Sequence, residues 1–293
     1  MTGVRQWISA SCLYFRVPGR PGRGRIEFCT RHYAMLPGPA LEPPSVSARQ
    51  VADFQRDGFV VVERVTTRDE VEHIARLLAR LYGRYRHFIR IQRAHDLAGG
   101  SADGIPQILE INRTLELEPA LRSTLAFARC RALAETLLGR QVEYRFDHAI
   151  YKPPFNNAAT AWHQDGAYSL EPRLVTAHFW VPLQDVTVEM GCMHFIPGSH
   201  LQGLVPHRRR RGCTHALEAP DVDPRDAVAC PLRAGDATVH VPRTLHYTGP
   251  NLTPWPRIAW SLEFGPRRGL GFRLYAKTKL VWRKARDGRL VGS

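Results

Sequence analysis

Trp162-His163-Gln164-Asp165-Gly166 puts two metal-ligating side chains two residues apart, and His246 and Arg257 follow far downstream. On extended backbone, side chains two apart point to one face, so His163 and Asp165 can converge on a single ion. His246 would complete a set of two imidazoles and one carboxylate. That is the ligand set of non-haem Fe(II) oxygenases, and it leaves coordination positions open for a chelating co-substrate and O2. Arg257 opens an apolar stretch running to Phe264, with Arg257, Ala259 and Ser261 on one strand face. A guanidinium fork matches a carboxylate, so Arg257 is the candidate anchor for the far carboxylate of 2-oxoglutarate. Thirteen histidines make any single His-x-Asp pair an easy coincidence, so the argument rests on the joint order of these residues.

The elements that must position them change character along the chain. Ser47-Ala48-Arg49-Gln50 is a capping-box pattern ahead of Val51 and Phe54, and Gly58-Phe59-Val60-Val61-Val62 reads as a strand. Thr67-Arg68-Asp69-Glu70 is a second box, followed by Val71, Ile74, Leu77, Leu78 and Leu81 at helical spacing. Residues 94–106 are rich in Gly, Asp and Ser and end at Pro106, which predicts a mobile loop. A third helix is expected over Pro119 to Leu138, with Gly139 just past its end. From Gln141 the period becomes two, with Val142, Tyr144, Phe146, His148 and Ile150 alternating with Glu143, Arg145, Asp147 and Ala149. Strand-like stretches recur at Thr176–Leu183, Cys192–Ile196, Ala237–Val241 and Ile258–Phe264. Helices first and many short strands afterward predict an α+β chain whose β part is a sandwich or barrel.

At 293 residues the chain reads as one domain with long loops. It contains no uncharged apolar run near the roughly 20 residues that a bilayer span needs. Six cysteines without a CxxC pair indicate neither a zinc knuckle nor a disulfide framework, so a reducing, cytoplasmic setting is expected. The net charge of +14 lies at the ends: residues 1–34 hold six Arg against Glu27, and residues 266–293 hold nine Lys or Arg against Asp287. A nucleic-acid enzyme would more often carry a basic stripe beside its site, so no nucleic-acid partner is expected. Residues 1–44 are expected to be a disordered or mis-annotated extension, with a start at Met35. Their Arg-rich, acid-poor composition also fits a mitochondrial presequence, which is the alternative. Residues 45–265 are the expected catalytic domain and 266–293 a basic tail.

Four further segments join the first: Met190-Gly191-Cys192-Met193-His194-Phe195-Ile196-Pro197-Gly198-Ser199-His200; Ala234-Gly235-Asp236; Leu245-His246-Tyr247-Thr248-Gly249-Pro250-Asn251 with Arg257; and Phe54-Gln55-Arg56-Asp57-Gly58-Phe59. On these the chain resembles the phytanoyl-CoA dioxygenase family of Fe(II)/2-oxoglutarate-dependent oxygenases. The resemblance implies a double-stranded β-helix (jelly roll, cupin-like) with N-terminal helices packed on it. It also implies iron at His163, Asp165 and His246, 2-oxoglutarate at Arg257, and O2 as co-substrate. Some relatives of the family are halogenases with a small residue at the carboxylate position; Asp165 makes hydroxylation of a small organic substrate, with release of succinate and CO2, the better reading.

Around this set, Thr248 could hydrogen-bond the co-substrate, and Trp180 could wall its pocket or be core. Lys152 could reach a carboxylate or be a solvated residue before a proline turn. Gln107, Asn112, His148 and Tyr168 are candidate substrate contacts, whereas His194, His200 and His240 are expected to satisfy local hydrogen bonds. Arg208 to Arg211 reads as a solvated loop or as a steering patch for an anionic substrate. Two rivals remain from other classes: a jelly-roll protein that binds metal or 2-oxoglutarate without turnover, and, on charge alone, a nucleic-acid demethylase.

Overall fold

The computed structural model describes residues 45–100, 106–169, 171, 174–213 and 215–267, with the backbone of a short ladder pairing Tyr14–Arg16 and Glu27–Cys29. Apart from that ladder, the expectations for residues 1–44 and for 268–293 lie outside the described residues.

Helix α1 (Ala48–Asp57) starts at Ser47, whose hydroxyl accepts from Gln50 N while the Gln50 side chain accepts from Ser47 N, as the box predicts. It stops at Gly58, whose φ of +83° is left-handed. A Cβ there would also collide with His200 and Thr244, so the turn and the close approach both require glycine. The chain then enters β1 (Phe59–Val62).

Helix α2 (Arg68–Tyr82) buries Val71, Ile74, Leu77, Leu78 and Leu81 along one stripe. Thr67 caps it, but Glu70 does not close the predicted second box. Its carboxylate instead accepts from Leu125 N at 2.6 Å and Ala126 N at 2.9 Å. These are unpaired donors at the start of α3 (Leu125–Leu138), where the helix dipole also favours an anion. The expected single helix from Pro119 is therefore two pieces. Pro119–Ser123 forms a 3-10 turn, and Thr124, extended at φ −79° and ψ 150°, caps α3, which ends at the left-handed Gly139 as expected.

Besides a two-stranded antiparallel ladder of Arg208–Arg209 with Leu217–Glu218, the remaining described strands are β2 (Ala94–Asp96), β3 (Leu109–Asn112), β4 (Val142–Lys152), β5 (Thr160–His163), β6 (Ala177–Pro182), β7 (Met193–Phe195), β8 (Val228–Cys230), β9 (Ala237–His240), β10 (His246–Thr248) and β11 (Arg257–Pro266). They form a seven-stranded sheet, β1-β9-β6-β11-β4-β3-β2, and a four-stranded sheet, β8-β7-β10-β5, with every pairing antiparallel. Part of the stretch predicted as a mobile loop is edge strand β2. The Asp96 carboxylate accepts from the backbones of Ala98, Gln107 and Ile108 and so ties the ends of this hairpin together.

Helices cover one face of the large sheet, packing on Phe179, Val181, Trp260 and Leu262. The opposite face carries Trp180 and Ala259 onto Met193, Phe195 and Cys230 of the small sheet. Phe59 stacks on Phe195 with ring centres 4.5 Å apart. Burying each such large side chain contributes about 1.5–3 kcal/mol. The result is a mixed helix and antiparallel-sheet fold. Among the described residues no helix is long and apolar enough to cross a membrane.

One irregularity decides what faces the site. The predicted alternation in β4 slips at Arg145, because Glu263 pairs with Phe146 while the next residue, Phe264, pairs with Tyr144. This bulge reverses the phase. Val142 and Tyr144 face the helices before it, and Asp147, Ala149 and Tyr151 face them after it. Phe146, His148 and Ile150 thereby turn to the other side, where they line a cavity.

Candidate metal centre

β5 ends the small sheet and, among the described strands, forms its ladder with β10, in a register that sets His163 directly opposite His246. Their rings lie 4.1 Å apart between centres. Each imidazole has its Nδ1 within hydrogen-bond reach of a carbonyl two residues back: His163 to Ala161 O at 2.8 Å and His246 to Thr244 O at 2.9 Å. Donation from Nδ1–H fixes the tautomer and leaves the Nε2 lone pair of each ring for a ligand. Burial pulls both imidazoles down to about 4, so they are neutral at neutral pH.

Asp165 reaches the same point through Gln164. That residue is extended, at φ −125° and ψ 127°, so its neighbours share a face and its own side chain points the other way. The fully buried carboxamide donates to Gly203 O and Arg243 O and accepts from Val205 N. Asp165 itself opens a 3-10 turn, Asp165–Tyr168, so it lies just past the strand and not within it. Its Oδ1 is 3.6 Å from His163 Nε2 and 3.7 Å from His246 Nε2. These gaps are too long for hydrogen bonds, and the three ligand atoms form a group that could hold an ion.

The other carboxylate oxygen, Oδ2, lies 2.7 Å from His178 Nδ1 and 3.1 Å from His240 Nε2. His178 Nε2 in turn lies 3.4 Å from Glu263. Burial opposes charge on His178, but Glu263 and Asp165 outweigh it and raise the imidazole to about 10. Burial likewise opposes charge on Asp165, while His246 and His178 hold its carboxyl well below the usual range. His240 and His200 thus bond groups far away in sequence, the Asp165 carboxylate and Gln55 O, not local groups as expected; His194 does bond local backbone, at Cys192 O. Sequence reasoning passed over His178 and Glu263. The signal available was parity: Phe146, Glu263, His178 and His240 are successive cross-strand partners on one face.

Arg257 begins β11 opposite Lys152 and is fully buried. Among the described residues none of its three guanidinium nitrogens has a hydrogen-bond partner. Its head lies 5.5 Å from the centre of the Trp180 ring, whose Nε1 is also without a partner. Burial lowers Arg257 to about 10, which still leaves it cationic at neutral pH. Lys152 is fully buried as well, so it is not the solvated residue of the alternative reading. Its Nζ donates to Thr248 O, Thr248 Oγ1 and Gly249 O at 3.1, 2.9 and 2.6 Å. Burial and Arg257 pull its pKa well down.

His163, Asp165, His246, Thr248 and Trp180 line a cavity of about 600 Å³, as do Asn112, His148 and Tyr168 from the expected substrate contacts, whereas Arg257 and Lys152 are not among its lining residues. Gln107 is not among its lining residues and spends its backbone on Asp96 and Asn156. Of the arginine run, Arg210 turns inward to line the cavity and donates to Ala159 O at 2.6 Å. Arg208 lies outward and pairs with Glu218.

The donor set suits a divalent cation: two neutral, tautomer-fixed imidazoles and one carboxylate oxygen. Beside it, a buried guanidinium without an acceptor suits an anionic co-substrate. The family model for phytanoyl-CoA dioxygenase (PhyH) matches residues 54–259. Among solved structures, EvdO2 from Micromonospora carbonacea var. aurantiaca, complexed with 2-oxoglutarate, is 33% identical with a TM-score of 0.63, covering 76% of this chain and 92% of that one. The epimerase SnoN, in complex with Fe3+, alpha ketoglutarate and nogalamycin RO, is 28% identical with a TM-score of 0.57, covering 74% and 82%. The ectoine dioxygenase of Sphingopyxis alaskensis is 28% identical over 236 residues, 72% of this chain and 73% of that protein. The chain belongs to the phytanoyl-CoA dioxygenase family. It is accordingly an oxidoreductase of the 2-oxoglutarate-dependent dioxygenase class, working with iron, 2-oxoglutarate and O2.

Proposed function

We propose that residues 45–265 form a jelly-roll oxygenase that hydroxylates a small organic substrate and releases succinate and CO2. Iron(II) would be held by His163 Nε2, Asp165 Oδ1 and His246 Nε2, and the far carboxylate of 2-oxoglutarate by Arg257. The observation that carries this reading is the fully buried Arg257 guanidinium, whose nitrogens all lack an acceptor among the described residues, beside Trp180, which lines the same cavity as two imidazoles with free Nε2 lone pairs. When bound, iron(II) and 2-oxoglutarate let O2 be reduced, with one oxygen atom passing to succinate and the other to the substrate.

The chain's own residues prepare that chemistry. Because Thr248 Oγ1 accepts from Lys152, its proton is free to donate, which directs it to the co-substrate carboxylate beside Arg257. Trp180 covers the guanidinium and keeps water from it. His178 and His240 occupy Asp165 Oδ2 and so present Oδ1 to the ion. His178→Ala should weaken divalent-metal affinity about 10–100-fold, the usual cost of losing a partner of a ligand. Anaerobic titration with Fe(II) or Co(II) measures this, and an unchanged affinity would mean that Asp165 needs no clamp.

Anaerobic addition of Fe(II) and 2-oxoglutarate should produce a visible metal-to-ligand charge-transfer band. A succinate-release screen across neutral metabolites, amino acids and acyl-CoAs then identifies substrates. Product mass distinguishes hydroxylation, which adds one oxygen, from an epimerisation of the kind named for SnoN, which adds none. Absence of the band at saturating iron and 2-oxoglutarate would refute the reading.

A further inference from the structure

The far end of the cavity holds a second polar cluster that the metal chemistry does not use. Glu110 on β3 is 5% exposed, and its Oε1 lies 2.6 Å from His148 Nδ1 on β4. Among the described residues its Oε2 has no hydrogen-bond partner, and His215 Nε2 is 3.7 Å away. Two residues along the same strand face, buried Asn112 Oδ1 is also without a partner. Leaving a buried acceptor unmet is costly, so two side by side on a cavity wall point to a ligand that supplies donors. His148 is the cross-strand partner of both Asn112 and Ser261, and Ser261 pairs with Trp180, so the cluster shares one sheet face with the co-substrate residues.

Rings flank these acceptors. His95 and His215 stack 4.3 Å apart, and Tyr168 lies 5.9 Å from His215 at an interplanar angle of 30°. Tyr168 also meets His163 edge-on at 6.4 Å, which bridges the cluster to the metal ligands. Flat rings next to hydrogen-bond acceptors suit a ligand with C–H faces and hydroxyl edges.

Charge narrows the ligand class. The cavity is lined by Arg93, Arg113, Arg145 and Arg210 and by as many carboxylates, Glu110, Asp165, Glu171 and Glu263. The arginines are engaged: Arg93 and Arg113 by Glu116, Arg145 by Glu143, and Arg210 by Ala159 O. Among the described lining residues that leaves no arginine without a partner for a phosphate or a CoA. Glu110 is already matched: although burial opposes both charges, the pair lowers the carboxyl and raises His148. An ammonium ligand would therefore have to compete with the His148 Nδ1 contact, which already occupies Glu110 Oε1 at 2.6 Å.

We propose that Glu110 and Asn112, with His148 orienting the carboxylate, form a substrate subsite for the hydroxyl groups of a neutral polyhydroxylated molecule such as a glycoside. This deepens the oxygenase reading and rests on it for the identity of the bound molecule as substrate. The test uses saturation-transfer NMR on the full chain with Fe(II) and 2-oxoglutarate under anaerobic conditions. Its probes are methyl β-maltoside, putrescine and hexanoyl-CoA. The glycoside alone should show transfer, and Glu110→Gln should weaken it tenfold or more while the charge-transfer band persists. Asn112→Ala, which leaves the ion pair intact, should weaken it severalfold and guards against misfolding of the first variant. Preference for putrescine or the CoA ester, no transfer to the glycoside, or equal glycoside binding in both variants each overturns the proposal. Failure of the oxygenase reading appears separately, as a missing charge-transfer band in the wild type.

Discussion

Asp165→Ala should abolish iron-dependent turnover of 2-oxoglutarate, lowering succinate formation by about a thousandfold or more, on the order of 4 kcal/mol. Two effects add. The variant loses the one anionic ligand of the triad, and it strands the groups that the carboxylate organises. Asp165 Oδ1 faces His163 and His246 at 3.6 and 3.7 Å, and Oδ2 is held by His178 and His240. Without it, His178 keeps Thr176 and Glu263, and the two Nε2 lone pairs face each other across the site with no charge to offset a cation. His163→Ala should reduce activity comparably but leave the Asp165–His178–His240 contacts in place. Fe(II) titration and succinate release, measured on both variants with circular dichroism to verify folding, check this. Wild-type-like succinate formation in either variant would remove the iron assignment.

Arg257→Met should separate binding from stability in the opposite direction. Arg257 is wholly buried with no acceptor for any guanidinium nitrogen, so in the protein without co-substrate it is a desolvated and unpaired charge. Replacing a buried ion by an apolar side chain of similar length is often neutral or stabilising by about 1–4 kcal/mol. The variant should therefore unfold at the same temperature as the wild type or higher when no 2-oxoglutarate is present. Its 2-oxoglutarate affinity should fall by about a hundredfold or more, because a bidentate charged contact worth about 3 kcal/mol is gone. The wild type should gain about 2.7 kcal/mol of stability at a 2-oxoglutarate concentration of 100 Kd, and the variant almost none at that concentration. Thermal unfolding with and without 2-oxoglutarate measures both halves. A variant destabilised in the absence of ligand would assign Arg257 a structural role instead.

Much of this architecture is legible in the chain because its causes are local. The Ser47–Gln50 box, the α2 stripe and the Gly139 stop depend on residues within one or two helical turns. Where a remote group competes, local reading fails. Glu70 prefers the free donors of α3, fifty-five residues away, to its own N-cap, and Asp96 turns an apparent loop into a tied hairpin. The β4 pattern fails differently, since one extra residue at Arg145 costs little in sequence yet reverses which side chains face the cavity.

The site divides along the same line. By itself the sequence determined which residue types could serve, and the His163–Asp165 offset of two determined that those side chains share a face, because backbone alternation is a property of adjacent residues. Only the tertiary structure decided that His246 stands opposite His163, that His178 and His240 occupy the second oxygen of Asp165, and that Glu110 meets His148. Those neighbours come from strands up to 83 residues apart whose register is set by packing across the sheets, and no local pattern encodes a register of that kind.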